Sequence, residues 1–108
     1  MGDDLFYCEG KGVKARGQYT EEGFVIFQGS QMVEEVINSA SNWVSEKREA
    51  LIADGVATFK TDHYEFLEDH RFPSPSQAAA VVKGGNTNGW TAWKNKKGIT
   101  LNKIYRSE

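Results

Sequence analysis

Ser74-Pro75-Ser76-Gln77-Ala78-Ala79-Ala80-Val81-Val82-Lys83-Gly84-Gly85 is a helix with both of its ends written into the sequence. Ser74 is an N-cap residue. Pro75 takes the first helical position, where its missing N–H is no loss, and Gln77 completes a capping box three residues after the cap. Gly84-Gly85 stops the helix. The three alanines hold no neighbour off, so the pattern predicts a helix that another element approaches closely. What flanks it decides the class.

Upstream, Val13 to Tyr19 alternates, with Lys14 and Arg16 on one face and Val13 and Ala15 on the other, as in a half-buried strand. Leu5 to Cys8 and Phe24 to Phe27 are apolar runs of strand length, separated from it by Gly10-Lys11-Gly12 and Thr20-Glu21-Glu22-Gly23. The first quarter therefore reads as a β-meander. Met32 to Ile37 suits either a strand or a helical turn. Ser39, Ser41 and Asn42 are N-cap candidates for a helix over Trp43 to Ala53, with Val44, Leu51 and Ile52 on one side, Glu46, Lys47 and Glu49 on the other, and Gly55 to end it. Val56 to Lys60 and His63 to Leu67 form a hairpin about Thr61-Asp62. Beyond Gly85 come a polar turn at Asn86 to Gly89, Trp90 to Trp93, a basic run at Lys94 to Lys97, a further strand, and a helical turn over Lys103 to Arg106. Strands, helix, strands, helix, strand make an α+β fold of mainly antiparallel pairing with two principal helices, a small single domain over residues 1–108.

Charge is split along the chain. The first 69 residues carry fourteen acids and six bases, whereas His70 to Ser107 carry seven bases and no acid. A net charge of −2 hides this, and charges more than ~8–10 Å apart are largely screened, so a local basic patch is what a phosphate-bearing partner meets. No apolar run reaches the ~20 residues of a membrane span. The acidic Met1-Gly2-Asp3-Asp4 start has no signal-peptide pattern and no myristoylation motif. With one cysteine, Cys8, an internal disulfide is excluded and a zinc cage is not expected. The expected setting is reduced and cytoplasmic, with no membrane partner, no metal and no small-molecule cofactor.

Three segments share the order and spacing of a known family: Gly12 to Ser30, Arg48 to Val56, and Asp69 to Trp90 with Trp93 and Lys94 beyond. Together they resemble a bacterial domain of unknown function often fused behind GIY-YIG nuclease domains. Ser74-Pro75-Ser76, Ala78-Ala79 and Asn88-Gly89-Trp90 also resemble the RAMA domain, a module attached to restriction enzymes and adenine methylases. The likeness covers about residues 10 to 104. It implies an accessory module working on DNA, with modified DNA as one possible target and a nuclease or methylase domain as neighbour. The chain has no Gly-Ile-Tyr or Tyr-Ile-Gly of its own.

The residues expected to bind nucleic acid follow from charge and aromatics. Lys94, Lys96 and Lys97, extended by Lys14 and Arg16, would contact phosphates. Trp90 or Trp93 would stack on a base, with Trp93, beside Lys94, preferred. If a methylated adenine is read, one of these rings must line its pocket. Ser74 and Ser76 sit at a helix start, where free N–H groups favour an anion. Asn88 offers a carboxamide to a base edge. Each has a plainer reading: core for the tryptophans, capping for Ser74, a turn for Asn88, solvation for the lysines. Catalysis is not expected. Asp69, His70 and Ser74 are near in sequence without a nucleophile-elbow motif, and Cys8, His63 and His70 lack metal-ligand spacing. Docking of a protein partner on an exposed apolar patch is the alternative.

Overall fold

Alternating residues in the first quarter fold as the meander they describe. In the computed structural model, which describes residues 5–38 and 40–106, strands β1 (Phe6–Gly10), β2 (Val13–Thr20) and β3 (Gly23–Ile26) pair antiparallel in sequence order. A further strand (His70–Phe72) adds to β3 and completes a four-stranded sheet. The sequence reading assigned no element there. Three residues make too short a run to show a period, and Phe72 finds its place by pairing with Phe24. Ser39 and the Met1 to Asp4 start lie outside the described residues.

The second sheet has three strands. In chain order β4 is Gln31–Val33, β5 is Ala57–Lys60 and β6 is His63–Phe66, with β6 in the middle; the strand His70–Phe72 is β7. The hairpin about Thr61-Asp62 is thus present, and the ambiguous segment after Gln31 is a short strand followed by irregular chain. Ser30 joins the sheets. Its buried hydroxyl accepts from the Arg16 N–H and donates to the Arg16 carbonyl.

Helix α1 is Asn42–Ala53, and α2 is Pro75–Lys83. One half of the expected capping box forms: Ser74 Oγ accepts from the Gln77 N–H at 3.1 Å, and Gly84 closes the helix in the left-handed conformation. Ala78, Ala79, Ala80, Val81 and Val82 are all buried, so α2 is the shared wall on which β3, β4, β7 and α1 pack. The alanines allow that approach. In α1 the buried residues are Val44, Arg48 and Leu51, whereas Ile52 is 37% exposed. The expected apolar side was therefore one residue off, and an arginine occupies its centre.

The last quarter departs most from expectation. No final strand forms among the described residues. Instead Gly89–Ala92 is a single helical turn, α3, and Leu101–Tyr105 is a second short helix, α4. Between them Lys94 makes two isolated bridges, to Tyr7 of β1 and to Thr100. One core holds the parts together, with Phe6, Phe24, Ile26, Met32, Phe66, Phe72, Trp93 and Leu101 fully buried.

A candidate nucleic-acid interface

Strand β1 sends Phe6 and Cys8 into the core, so Tyr7 and Glu9 face outward. Opposite residues of an antiparallel pair share a face. Tyr7 faces Arg16, and Glu9 faces Lys14. On its other side, Tyr7 exchanges two backbone hydrogen bonds with Lys94, at 2.7 and 3.0 Å. One row thus runs Lys94, Tyr7, Arg16, and ends where the Arg16 guanidinium lies 5.5 Å from the Phe27 ring centre.

Beside that row a cleft of about 740 Å³ opens between β1, the end of α2, α3 and the Lys94 to Gly98 loop. Lys83, Lys94 and Lys96 line it with Tyr7, Asn88, Asn95, Thr87 and Thr91, and Glu9 is its one carboxylate among the described residues. Among the described residues none of the three ammoniums has a carboxylate within ion-pairing distance. The Cys8 thiol is buried nearby. Burial pushes its pKa up, and Lys83, then Lys94, work against that rise. The loop is set by Asn95, whose Oδ1 accepts from both Lys97 and Ile99 N–H, and by Gly98, whose φ of +83° few other residues adopt. This turn puts Lys96 and Lys97 at its tip.

A second, more apolar groove adjoins the cleft. Leu5, Ile99 and Ile104 line it with Lys96 and Lys97. Tyr7 borders both cavities and a third recess that holds Lys14 and Arg16.

The structure divides the sequence candidates. Lys14, Arg16, Lys94, Lys96 and Lys97 are all exposed and lie around Tyr7. Asn88 lines the cleft; its Oδ1 accepts from the Trp90 N–H. Trp93 is a correction. It is 0% exposed, its ring lies 4.3 Å from that of Phe24, and its indole N–H donates to the Pro75 carbonyl at 3.0 Å. A ring so enclosed has no face to offer a base. Trp90 is half-buried, edge-on to Tyr19, with the Arg106 guanidinium 4.4 Å from its ring centre. Three residues apart, the two tryptophans turn toward the same side, and that side is the core. Ser74 and Ser76 are outside the cleft. Ser74 caps α2, and Ser76 Oγ accepts from the Gly89 N–H at 2.9 Å, tying α3 to α2.

Asp69, His70 and Ser74 have separate tasks. An Asp69 carboxylate oxygen accepts from the Gln28 N–H, Ser74 caps, and His70 packs edge-on to Phe72. Among the described residues, no group of three or more His, Cys, Asp or Glu side chains is placed to hold a metal ion. None of the helices there is long and apolar enough to cross a membrane.

A family model described as a domain of unknown function, DUF4357, matches residues 6–105. The chain belongs to that family. The match runs from the first residue of β1 to the last of α4, so every described element lies within the domain, the Lys94 loop included. No curated protein and no solved structure matches the chain.

Sequence reasoning missed Tyr7 and Lys83. The signal for Tyr7 was the period of two in Phe6-Tyr7-Cys8-Glu9, which was read as an apolar run. Lys83 has no local signal, because only the reach of its side chain from the end of α2 to Gly10 of β1 brings it to the cleft.

Proposed function

We propose that the domain is a non-catalytic accessory module that binds DNA across the outer face of β1 and β2 and the cleft beside them. The observation that carries this reading is the Lys94–Tyr7–Arg16 row, bordered by lysines that have no ion-pair partner among the described residues. Cations surround an outward-facing aromatic ring, which is the combination that follows a phosphate backbone and stacks on bases. Trp93 has no part in it, and Tyr7 takes the stacking role. A restriction-modification or nuclease setting, and the reading of a modified base, rest on the resemblance to the RAMA domain and to domains fused with GIY-YIG nucleases.

The test is a titration of labelled single-stranded, unmodified duplex and N6-methyladenine duplex DNA, followed by fluorescence anisotropy over a range of salt. If Lys14, Arg16, Lys83, Lys94 and Lys96 each neutralise one phosphate, log K against log salt has a slope of up to about −3.5 on a single strand. The double variant Lys94→Glu, Lys96→Glu should weaken all sequences alike and flatten that slope. Absence of binding at low salt rejects the proposal. The groove of Leu5, Ile99 and Ile104 favours a second reading, docking of a nuclease or methylase domain, for which binding is insensitive to salt.

A further inference from the structure

The cleft has a more definite chemistry than a basic surface. Its amides are held in known orientations. Asn88 Oδ1 accepts from the Trp90 N–H, and Asn95 Oδ1 accepts from two backbone N–H groups, so both side-chain NH₂ groups are left without a partner among the described residues. With Lys83, Lys94 and Lys96, the spare hydrogen-bonding capacity of the cleft is mainly that of donors. An acceptor-rich anion answers it.

Two further observations narrow the ligand. Lys83 lies along the end of β1: a Cβ at Gly10 would meet its Cε at 3.3 Å and its Nζ at 3.5 Å. Its ammonium and the Lys94 side chain line the same cleft, on either side of Tyr7 and Glu9 in its wall. Among the described residues, Tyr7 is also the one tyrosine with no ring or cation contact. Tyr19, Tyr64 and Tyr105 all have ring partners. An unpartnered ring beside paired cations suits a ligand that carries an aromatic base and a phosphate together. The cleft volume falls within the ~300–1,000 Å³ of pockets that enclose small ligands, which fits one such unit and not a length of duplex.

We infer that the cleft is a one-nucleotide pocket. Lys83 and Lys94 hold the phosphate, the Tyr7 ring carries the base, and the NH₂ groups of Asn88 and Asn95 donate to acceptors on the ligand. This deepens the DNA-binding reading, because the unit held would be a strand end or an extruded nucleotide. A free nucleotide has the same chemistry.

Calorimetric titration separates these sources. The probes are adenosine 5′-monophosphate, adenosine, orthophosphate, a 5′-phosphorylated single-stranded oligonucleotide and its blunt duplex. The monophosphate should bind more tightly than adenosine or orthophosphate and should compete with the single strand. Lys83→Ala should weaken it roughly 3- to 10-fold. Glu9→Gln should tighten it roughly 2- to 4-fold by removing a carboxylate from the cleft wall. Tyr7→Leu should erase the preference for the monophosphate over orthophosphate. If that variant fails to fold, amide shifts of the parent protein with the monophosphate should centre on Tyr7, Lys83, Asn88 and Lys94. DNA binding with no competition from the monophosphate and no effect of Lys83→Ala overturns the pocket and leaves the interface standing. Binding of the monophosphate without any oligonucleotide keeps the pocket and rejects the DNA reading. If neither binds, both fall.

Discussion

Replacing Arg48 by methionine should cost far more stability than its place in a charged helix suggests. The side chain is 4% exposed and makes no ion pair among the described residues. Its guanidinium donates to the Val81 carbonyl at 2.8 Å, to the Val33 carbonyl and to the Glu34 carbonyl at 3.2 Å, and lies 5.4 Å from the Tyr64 ring centre. Burial lowers its pKa, and Tyr64 opposes that shift. Val81 is in the last turn of α2, where carbonyls have no partner within the helix and the dipole is negative. Arg48 therefore finishes α2 and joins it to α1 and β4. In Arg48→Met the stem length is nearly kept and the donors are lost. Each buried carbonyl left bare costs about 1–3 kcal/mol, and removing a desolvated cation returns part of that. The net loss should be about 2–4 kcal/mol, or a melting point lower by roughly 10–20 °C for a domain near this size. Arg48→Lys should lose less, about 1–2 kcal/mol, since one ammonium cannot reach carbonyls on two elements. Urea unfolding followed by circular dichroism reads both. A methionine variant within about 0.5 kcal/mol of the parent refutes the argument, because the carbonyls would then have other partners.

Trp93→Phe should destabilise by about 2–4 kcal/mol in a thermal melt, from the lost bond to Pro75 and the space left beside Phe24; an unchanged melt would reopen Trp93 as a surface residue. Gly89→Ala should be comparably disruptive, since a Cβ there would fall on the Pro75 and Ser76 backbone; full stability with alanine would mean α3 does not pack there. His70 has a pKa below the ordinary 6.5, first because it is buried and then because Lys47 and Arg71 are near, with Glu68 and Asp54 opposing. The unfolded chain thus takes up the proton more readily, and stability should be full above about pH 6.5 and fall as the pH drops through the folded value. His70→Gln should melt with a shallower loss than the parent between about pH 7 and about pH 5, and parallel curves would show that His70 is not the group responsible.

Features carried by neighbours in sequence could be read in advance. Ser74, Pro75 and Gln77 cap α2 through contacts no more than three residues apart, and Lys14 and Arg16 lie outward because Val13 and Ala15 must lie inward. Features that depend on a distant partner could not. Phe72 becomes a strand residue because Phe24 is there to pair with it, and Trp93 is enclosed because Phe24 and Pro75 meet it. Arg48 has the sequence appearance of a solvated charge; nothing near it announces carbonyls from residues 33, 34 and 81. The cleft divides in the same way. Its lysines were visible as a run, but Tyr7 and Lys83 join them only through the Tyr7–Lys94 bridge and the packing of α2.

That bridge bears on what the domain can lose. Strand β1 lies at the margin of its sheet and would otherwise present bare N–H and carbonyl groups along its whole length, a template onto which another chain could add. The two hydrogen bonds that Tyr7 and Lys94 exchange occupy the middle of that margin. The backbone at residue 94 therefore keeps molecules from joining edge to edge, while the side chain there faces the cleft. A substitution at Lys94 can retune the ligand and leave the margin closed. A deletion of the loop removes the site and opens the margin together, so a loop-deleted domain is expected to self-associate as well as to lose binding.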